Sequence, residues 1–485
     1  MTAKTKVFFP AAGNGNGTSI NNVGSNGNYW SSSWNSADNA YNLNFNSSSV
    51  NPQNNNNRYN GYSVRAVQHS SERRRNDTII NNRDKERYIM AYSLTREALL
   101  LDLYAAFFCA KRHKGSKPYV RRFERNLKQN LTKLRDALWD RTYRPAPSSC
   151  FIIERPKKRE VFAAQFRDRV VHHLYYNYTN ELFERTFIHD AYSCIPQRGT
   201  HYGISRLAAH IRKESRSYSR PCYVMKLDIR GYFMHIDRQR LLDMALATLE
   251  KMRRRKVTKA EKETWEDRLD YSLVTWLTRE IILLDPNDNC RIVGSESDWD
   301  GLDPAKTMRK AGTGLGLPIG NLTSQLFSNV YLNALDQFMK REMHCRHYGR
   351  YVDDAYVVSH DKRQMTDIVP KVQTFLASEL GLELHLGKLT LRDAAYGTEF
   401  LGAFVKPYRT YASNGCLQRM RRNIRKMHTA DSGAVYRSVN SFLGVLCHHK
   451  TYRLRRKLFL REQFLRLSTF NDNITTFNKP TSITL

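Results

Sequence analysis

The tetrapeptide Tyr351-Val352-Asp353-Asp354 constrains this chain more than any other stretch. Apolar and aromatic residues lie on both sides of it, in His347-Tyr348-Gly349-Arg350 before and Ala355-Tyr356-Val357-Val358 after. Such flanks predict two short strands with the Asp pair at the tip of a hairpin. Asp is a common turn residue, so a solvated turn is the plainest reading of the pair alone. Two adjacent carboxylates repel each other unless a cation lies between them, and oxygen-only ligation of that kind suits Mg²⁺.

Two further stretches bear on that choice. Cys222 to Leu227 fits a buried strand with Asp228 at its end, followed by Gly231 for a turn and the aromatics Tyr232 and Phe233. A carboxylate at a strand end is held rigidly, as a metal ligand must be, although a lone Asp there also serves as a cap or turn. Residues 312–320 are glycine-rich and lead into a helix whose apolar face is Leu322, Leu326, Val330 and Leu335. Glycines let backbone approach a ligand closely. No Gly-Lys-Ser/Thr follows, so this is not a Walker loop. Asp228 and Asp353 are 125 residues apart. If their strands are neighbours in one sheet, three carboxylates converge, the donor set of a two-metal site for in-line phosphoryl transfer.

Charge supports a polyanionic partner. The chain of 485 residues carries 78 Lys and Arg against 46 Asp and Glu, a formal +32, which points first to nucleic acid. No apolar run approaches the roughly 18–20 residues of a membrane span, and Met1–Lys6 lacks the apolar core of a signal peptide. The eight cysteines are scattered without a C-x-x-C pair, which argues against a zinc ribbon or disulfide scaffold and suits a cytoplasmic location.

The rest of the chain divides by composition. Residues 1–65 hold 17 Asn, with frequent Gly and Ser and recurring aromatics, and are expected to be weakly folded. Residues 66–89 form a charged linker. A helical pattern begins after Met90, with Thr95 as N-cap and Leu99, Leu103 and Phe107 on one face. Cys150–Glu154 and Val161–Ala164 read as strands joined by the basic turn Arg155–Glu160, which could wrap a triphosphate or simply be solvated. Residues 250–310 read as a polar insertion carrying a helix at Ser272–Leu284. Lys388 lies in a strand–turn segment, and Glu399–Val405 reads as a tight hairpin. Residues 409–468 are helical and very basic, with Arg421, Arg422, Arg425, Lys426, Arg453, Arg455 and Arg456 interleaved with apolar residues as on a duplex-gripping surface. Residues 469–485 read as a short polar tail.

Five motifs in order carry a family resemblance: Leu227-Asp228-Ile229-Arg230-Gly231-Tyr232-Phe233, the Gly320–Ser324 loop and helix, Tyr351–Asp354, Gly387-Lys388 and Phe400-Leu401-Gly402. Together they resemble the palm motifs of reverse transcriptases over about 95–460. The third motif, Ile319-Gly320-Asn321-Leu322-Thr323-Ser324-Gln325, departs from the usual Gln-Gly-x-x-x-Ser-Pro and resembles the reverse transcriptases of diversity-generating retroelements. The resemblance implies an α+β right-hand polymerase with fingers and palm over 90–408 and a helical thumb over 409–468. It implies an RNA-directed DNA polymerase that misincorporates opposite adenine while copying a template-repeat RNA. Its partners would be dNTPs, an RNA/DNA hybrid and a small helical-bundle accessory variability protein.

The implied roles follow position by position. Asp228, Asp353, Asp354 and the Ile229 carbonyl would hold two Mg²⁺ ions, with Mn²⁺ as a substitute. Lys158 and Arg159 would contact phosphates, Tyr232 would sit under the sugar, Ile319 and Gly320 would line the nucleotide pocket, and Lys388 would be a general acid for pyrophosphate. A group II intron or retron enzyme is the alternative within polymerases, and a non-catalytic RNA- or ligand-binding protein the alternative outside them. Phe8–Gly13, Gly27–Ser33 and Tyr62–Arg65 resemble the end of a lectin-like variable protein. Asn codons are adenine-rich, so residues 1–65 read as a translated template repeat, with native translation expected to start near Met90.

Overall fold

The computed structural model describes residues 95–154, 157–258, 262–288, 290–426, 432–449, 451–459 and 470–478, together with strand backbone between 14 and 57. The chain forms two units, Met1–Arg87 and Tyr88–Leu485. In the first, Gly27–Trp34, Asn39–Phe45 and Val50–Asn57 pair as an antiparallel sheet, and Asn14–Asn16 pairs with Ser19–Asn21. Asn is depleted in strands, so composition gave no sign of this pairing. The rest of 1–94, including the linker 66–89 and Met90, lies outside the described residues.

The second unit opens with the helix Arg96–Lys111. Thr95 Oγ1 accepts the Ala98 N–H at 3.1 Å, as its N-cap position predicts, which stabilises the helix by about 1 kcal/mol. Leu99, Leu103 and Phe107 are buried against the helix Phe166–Glu184. A first sheet follows. Its strands are β1 (Ser148–Ile153) and β2 (Arg159–Ala163), an antiparallel hairpin.

The central sheet contains β3 (Tyr223–Leu227). Before the chain returns to that sheet, β4 (Cys290–Ile292) adds parallel to β1. The insertion 250–310 therefore contributes a strand where only a helix and loops were expected. Glu160, 1% exposed, anchors it by accepting from Trp299 Nε1 at 2.7 Å, Thr307 Oγ1 at 2.8 Å and the Met308 N–H at 2.6 Å.

The other central strands are β5 (His347–Tyr351), β6 (Asp354–Ser359) and β7 (Thr390–Asp393), and the order β5-β6-β3-β7 is antiparallel throughout. Strand side chains alternate between faces. Met225, Leu227, Ala355 and Val357 join the main core, which includes the helix Leu322–Gln337. Val224, Tyr356 and Val358 join a second core under the helix Thr200–Glu214. Both faces are covered, so sheet register is strongly specified.

A meander of β8 (Thr398–Phe400), β9 (Ala403–Lys406) and β10 (Arg409–Ala412) leads to the C-terminal helices. Residues 409–412 are thus strand rather than the start of the helical section, because they pair with β9. The helices Asn414–Arg425, Ser432–Leu446 and Tyr452–Phe459 enclose a small core of their own. Phe470, Ile474 and Phe477 belong to that core, and Asn440 exchanges two hydrogen bonds with the Phe477 backbone at 2.8 and 2.9 Å. The expected polar tail is therefore corrected over 470–478, which packs back on the helices. No described helix is long and apolar enough to cross a membrane.

Candidate active site

Sheet register brings the acidic residues together. Tyr351 pairs with Asp354 across a two-residue turn, and Ala355 pairs with Leu227 on β3. One further step in that antiparallel register sets Asp354 opposite Asp228. Val352 and Asp353 make the turn, with Val352 at φ 55°. A β-branched residue in the left-handed region is strained by about 1–3 kcal/mol.

A buried polar network holds that strain. Arg350, 1% exposed, pairs with Asp336, 0% exposed, through Nε–Oδ1 at 2.8 Å and Nη2–Oδ2 at 2.7 Å. Arg350 Nη1 also donates to the Val352 carbonyl at 2.9 Å, and the Val352 N–H donates to Ser193 Oγ at 3.3 Å. Ser193 in turn donates to Asn329 Oδ1 at 3.1 Å, and Tyr348 donates to Asp336 at 2.8 Å. The hairpin tip is thereby tied to the helix Leu322–Gln337. Sequence reasoning missed these partners. The available signal was a lone arginine inside an otherwise apolar strand.

Burial pushes the Asp353 carboxyl up to about 6, with the neighbouring Asp354 and Asp228 charges adding to the shift. Burial also raises Asp354, against the opposing charges of Lys226, Lys388 and Lys157. Lys388 Nζ lies 2.7 Å from Asp228 Oδ2, and that hydrogen bond raises the Lys388 pKa. Ile229 faces Leu384, but the hydrogen bonds there are made by Asp228 and Arg230. In such a non-hydrogen-bonded pair the Ile229 carbonyl points to the opposite edge, the side of the Asp353-Asp354 tip.

Among the described residues no three His, Cys, Asp or Glu side chains are already closed around one point. The donors nevertheless fit a hard divalent cation, being carboxylate and carbonyl oxygens that carry mutually repelling charge.

The loop before the helix Leu322–Gln337 reaches the first sheet. The Phe162 N–H donates to the Ile319 carbonyl at 2.8 Å. Gly320 has φ 133°, and a Cβ there would lie 2.5 Å from the Phe162 carbonyl oxygen, so this close approach requires glycine. Ile319 and Phe233 are half-buried and pack on the same cluster, formed by Cys150, Phe162, Met234 and Met308.

One expected contact is corrected here, and a second side chain has partners within the chain. Tyr232 is 2% exposed and its hydroxyl donates to the Ser328 carbonyl at 2.6 Å. Its ring is spent in the core, and the next aromatic, Phe233, is the one that packs on the same cluster as Ile319. Lys158 Nζ donates to the Asp300 carbonyl at 2.8 Å and pairs with Glu154 at 3.2 Å. Its ammonium is held within the chain, whereas Lys157 is exposed and its charge acts on Asp354. Arg159 is exposed, as a phosphate contact needs.

On the C-terminal helices Arg421, Arg422, Arg425, Lys426, Arg453 and Arg456 are exposed. Arg455 is not. It is 6% exposed and Nη2 donates to the Asn473 carbonyl at 2.9 Å. Its expected role on a nucleic-acid surface is corrected to one inside the helical cluster, because segment 470–478 covers it.

A hairpin-tip Asp pair set across from a strand-end Asp, in a basic chain, is the arrangement of a template-copying polymerase. The chain belongs to the reverse transcriptase family, whose model, described as reverse transcriptase (RNA-dependent DNA polymerase), matches residues 155–405. No curated protein matches it in sequence. Among solved structures it is similar to apo telomerase of Candida tropicalis truncated from its C-terminal domain, at 9% identity and TM-score 0.40, covering 55% of each chain. It is also similar to telomerase of Candida albicans in complex with the TWJ fragment of telomeric RNA, at 10% identity and TM-score 0.40, covering 66% of this chain and 56% of that one. The chain thus spans little more than half the length of these structures.

Proposed function

We propose that the chain copies an RNA template into error-prone cDNA, as the polymerase of a diversity-generating retroelement, using Asp228, Asp353 and Asp354 as metal ligands. The observation that carries the catalytic part is the register that sets Asp354 opposite Asp228. Two Mg²⁺ ions bound there would lower the pKa of a primer 3′-hydroxyl and neutralise the triphosphate and its leaving group. The chain's own residues do the rest. The Arg350 network fixes the hairpin tip, Lys388 and Lys157 balance carboxylate charge, and exposed Arg159 meets phosphate. On this reading the β3–β5–β6–β7 sheet is the palm, the β1–β2–β4 sheet the fingers and the C-terminal helices the thumb. The test is Mg²⁺-dependent primer extension on an RNA template. Asp353→Ala abolishes it, and full activity in that variant overturns the catalytic assignment.

The retroelement subtype rests on the Ile319–Gln325 loop. Ile319 supplies an apolar β-branched side chain on the cluster that Phe233 also packs against, where a polar residue is usual, which weakens discrimination at the templating base. Sequencing of cDNA from Ile319→Gln checks this, since adenine-directed errors fall if the reading holds and persist if it does not. Residues 1–65 are read as a translated template repeat, which requires a near-identical, adenine-substituted copy in a neighbouring gene. The accessory variability protein is proposed to dock on the basic surface and is testable by co-purification.

A further inference from the structure

A basic groove of about 540 Å³ lies away from the acidic site, between the C-terminal end of the helix Thr200–Glu214 and the β9–β10 turn. Arg212, Tyr218, Lys406, Tyr408 and Arg409 line it, and none of its lining residues is a carboxylate. Arg212, Lys406 and Arg409 are exposed, and no ion pair involves them among the described residues. The Tyr218 and Tyr408 rings stand 4.4 Å apart at 54°, with Tyr408 78% exposed.

Both tyrosines sit on unusual backbone, Tyr408 exposed and Tyr218 half-buried with one side on the core under the helix Thr200–Glu214. Arg216, Ser217 and Tyr218 have φ of 48°, 57° and 71°, and Tyr408 has φ 64°. Each such residue costs of order 1 kcal/mol or more. The turn at 215–218 is built rather than loose. The Ser217 N–H donates to the Arg212 carbonyl at 2.7 Å, and the Tyr218 N–H donates to Ser215 Oγ at 2.9 Å.

The groove is separate from the acidic site. Tyr218 precedes β3 and Asp228 follows it, so the strand alone puts about 17 Å between them. The groove is also distinct from a second cavity at the other end of the helix Thr200–Glu214. Thr200 and His201 line a cavity with Leu401, Gly402 and the C-terminal helices, while Arg212 at the other end lines the groove.

We propose that this groove binds a single-stranded polynucleotide outside the template–primer path. Exposed aromatic faces flanked by unpaired cations are what single strands use, with bases stacking on the rings and phosphates meeting the cations. The strand is either the flank of the template RNA or the displaced cDNA, which share that chemistry. The binding does not depend on the retroelement reading, and catalysis is scored separately.

The experiment uses the full chain with excess unlabelled RNA/DNA hybrid filling the main cleft. Fluorescein-labelled unstructured 12-nucleotide RNA and DNA are then titrated by anisotropy. Tyr408→Ala is expected to weaken single-strand binding about 5- to 160-fold, the range for loss of one stacked base. The triple variant Arg212→Ser, Lys406→Ser, Arg409→Ser is expected to lower the salt slope by about 2, at roughly 0.7 per phosphate. Extension of a saturating pre-annealed primer stays unchanged in both. Tighter RNA than DNA binding assigns the groove to the template flank, and the reverse assigns it to the product strand. Unchanged affinity in Tyr408→Ala with loss only in the triple variant marks a plain anionic-ligand patch and overturns the proposal. Wild-type affinity in both variants overturns it outright.

Discussion

Arg350 and Asp336 offer the sharpest test of how the Asp353-Asp354 hairpin is held. Both side chains are essentially inaccessible, at 1% and 0%, and share two hydrogen bonds of 2.8 and 2.7 Å. Arg350→Met removes the cation and leaves Asp336 buried with the Tyr348 hydroxyl at 2.8 Å. Breaking a buried pair from one side costs about 3–5 kcal/mol, so urea unfolding followed by circular dichroism should show a loss of that size. The variant also removes the donor to the Val352 carbonyl, releasing a turn strained by about 1–3 kcal/mol, and kcat for primer extension should fall with it. The double variant Arg350→Met, Asp336→Leu separates the two effects. An apolar pair can replace a buried ion pair at little cost, while the Tyr348 hydroxyl loses its Asp336 acceptor at about 1–3 kcal/mol, so stability should return to within about 1–3 kcal/mol of the parent. The rate should not return, because Val352 still lacks its donor. A double variant that regains both stability and full rate would refute the claim that this network positions the tip.

Three other perturbations follow from the geometry. Gly320→Ala drives a Cβ to 2.5 Å from the Phe162 carbonyl oxygen; it should cost about 1–3 kcal/mol and raise the KM for dNTP more than it lowers kcat, as measured in steady-state extension. His210, 3% exposed and facing Asp190, Arg206, His347 and Lys340, is pushed by burial down to about 3. The folded state then binds fewer protons than the unfolded one below the ordinary His value, so stability is full above about pH 6.5 and is lost progressively as pH falls toward 3, by up to about 4 kcal/mol; urea midpoints across pH 4–7 in His210→Gln should flatten that dependence. Arg455→Ala should destabilise the C-terminal cluster by about 1.5–3 kcal/mol, whereas Arg453→Ala should leave stability unchanged and lower the salt slope of hybrid binding by about 1.

What was legible in the sequence was what strand periodicity and short spacing encode. The hairpin at Asp353-Asp354, the strand ending at Asp228, the N-cap at Thr95 and the glycine loop before Leu322 all appear where local pattern put them. Adjacent residues with opposite fates were not legible. Lys157 and Lys158 differ because the Asp300 carbonyl and Glu154 engage one of them. Tyr232 and Phe233 differ because the turn after Gly231 sends one ring to the Ser328 carbonyl. Arg455 sits on a helix rich in cations on every side, so no periodicity singled out the one that is buried. Segment 470–478 and β4 are too short and too polar to announce themselves, and only tertiary contacts with Asn440 and β1 order them.

The architecture also bears on how rate and accuracy relate in this enzyme. The carboxylates take their places from the register of a sheet covered on both faces, and from a buried ion pair beneath the turn. Ile319 takes its place from a different set of constraints, one hydrogen bond to Phe162, the close approach at Gly320 and packing on the cluster beside Phe233. No described hydrogen bond links the Ile319–Gly320 segment to the hairpin tip. Among the described residues the two sets meet through the helix Leu322–Gln337, which begins at the loop and carries Asn329 and Asp336 to the network, and through the segment after Asp228, where the Phe233 carbonyl accepts the Leu317 N–H at 2.7 Å. On the proposed function, substitutions at Ile319 should change which base is accepted while leaving the three carboxylates in place. Substitutions at Arg350 should slow every incorporation alike, correct and incorrect. On the proposed function, an enzyme built this way can relax base selection while its phosphoryl-transfer chemistry stays intact.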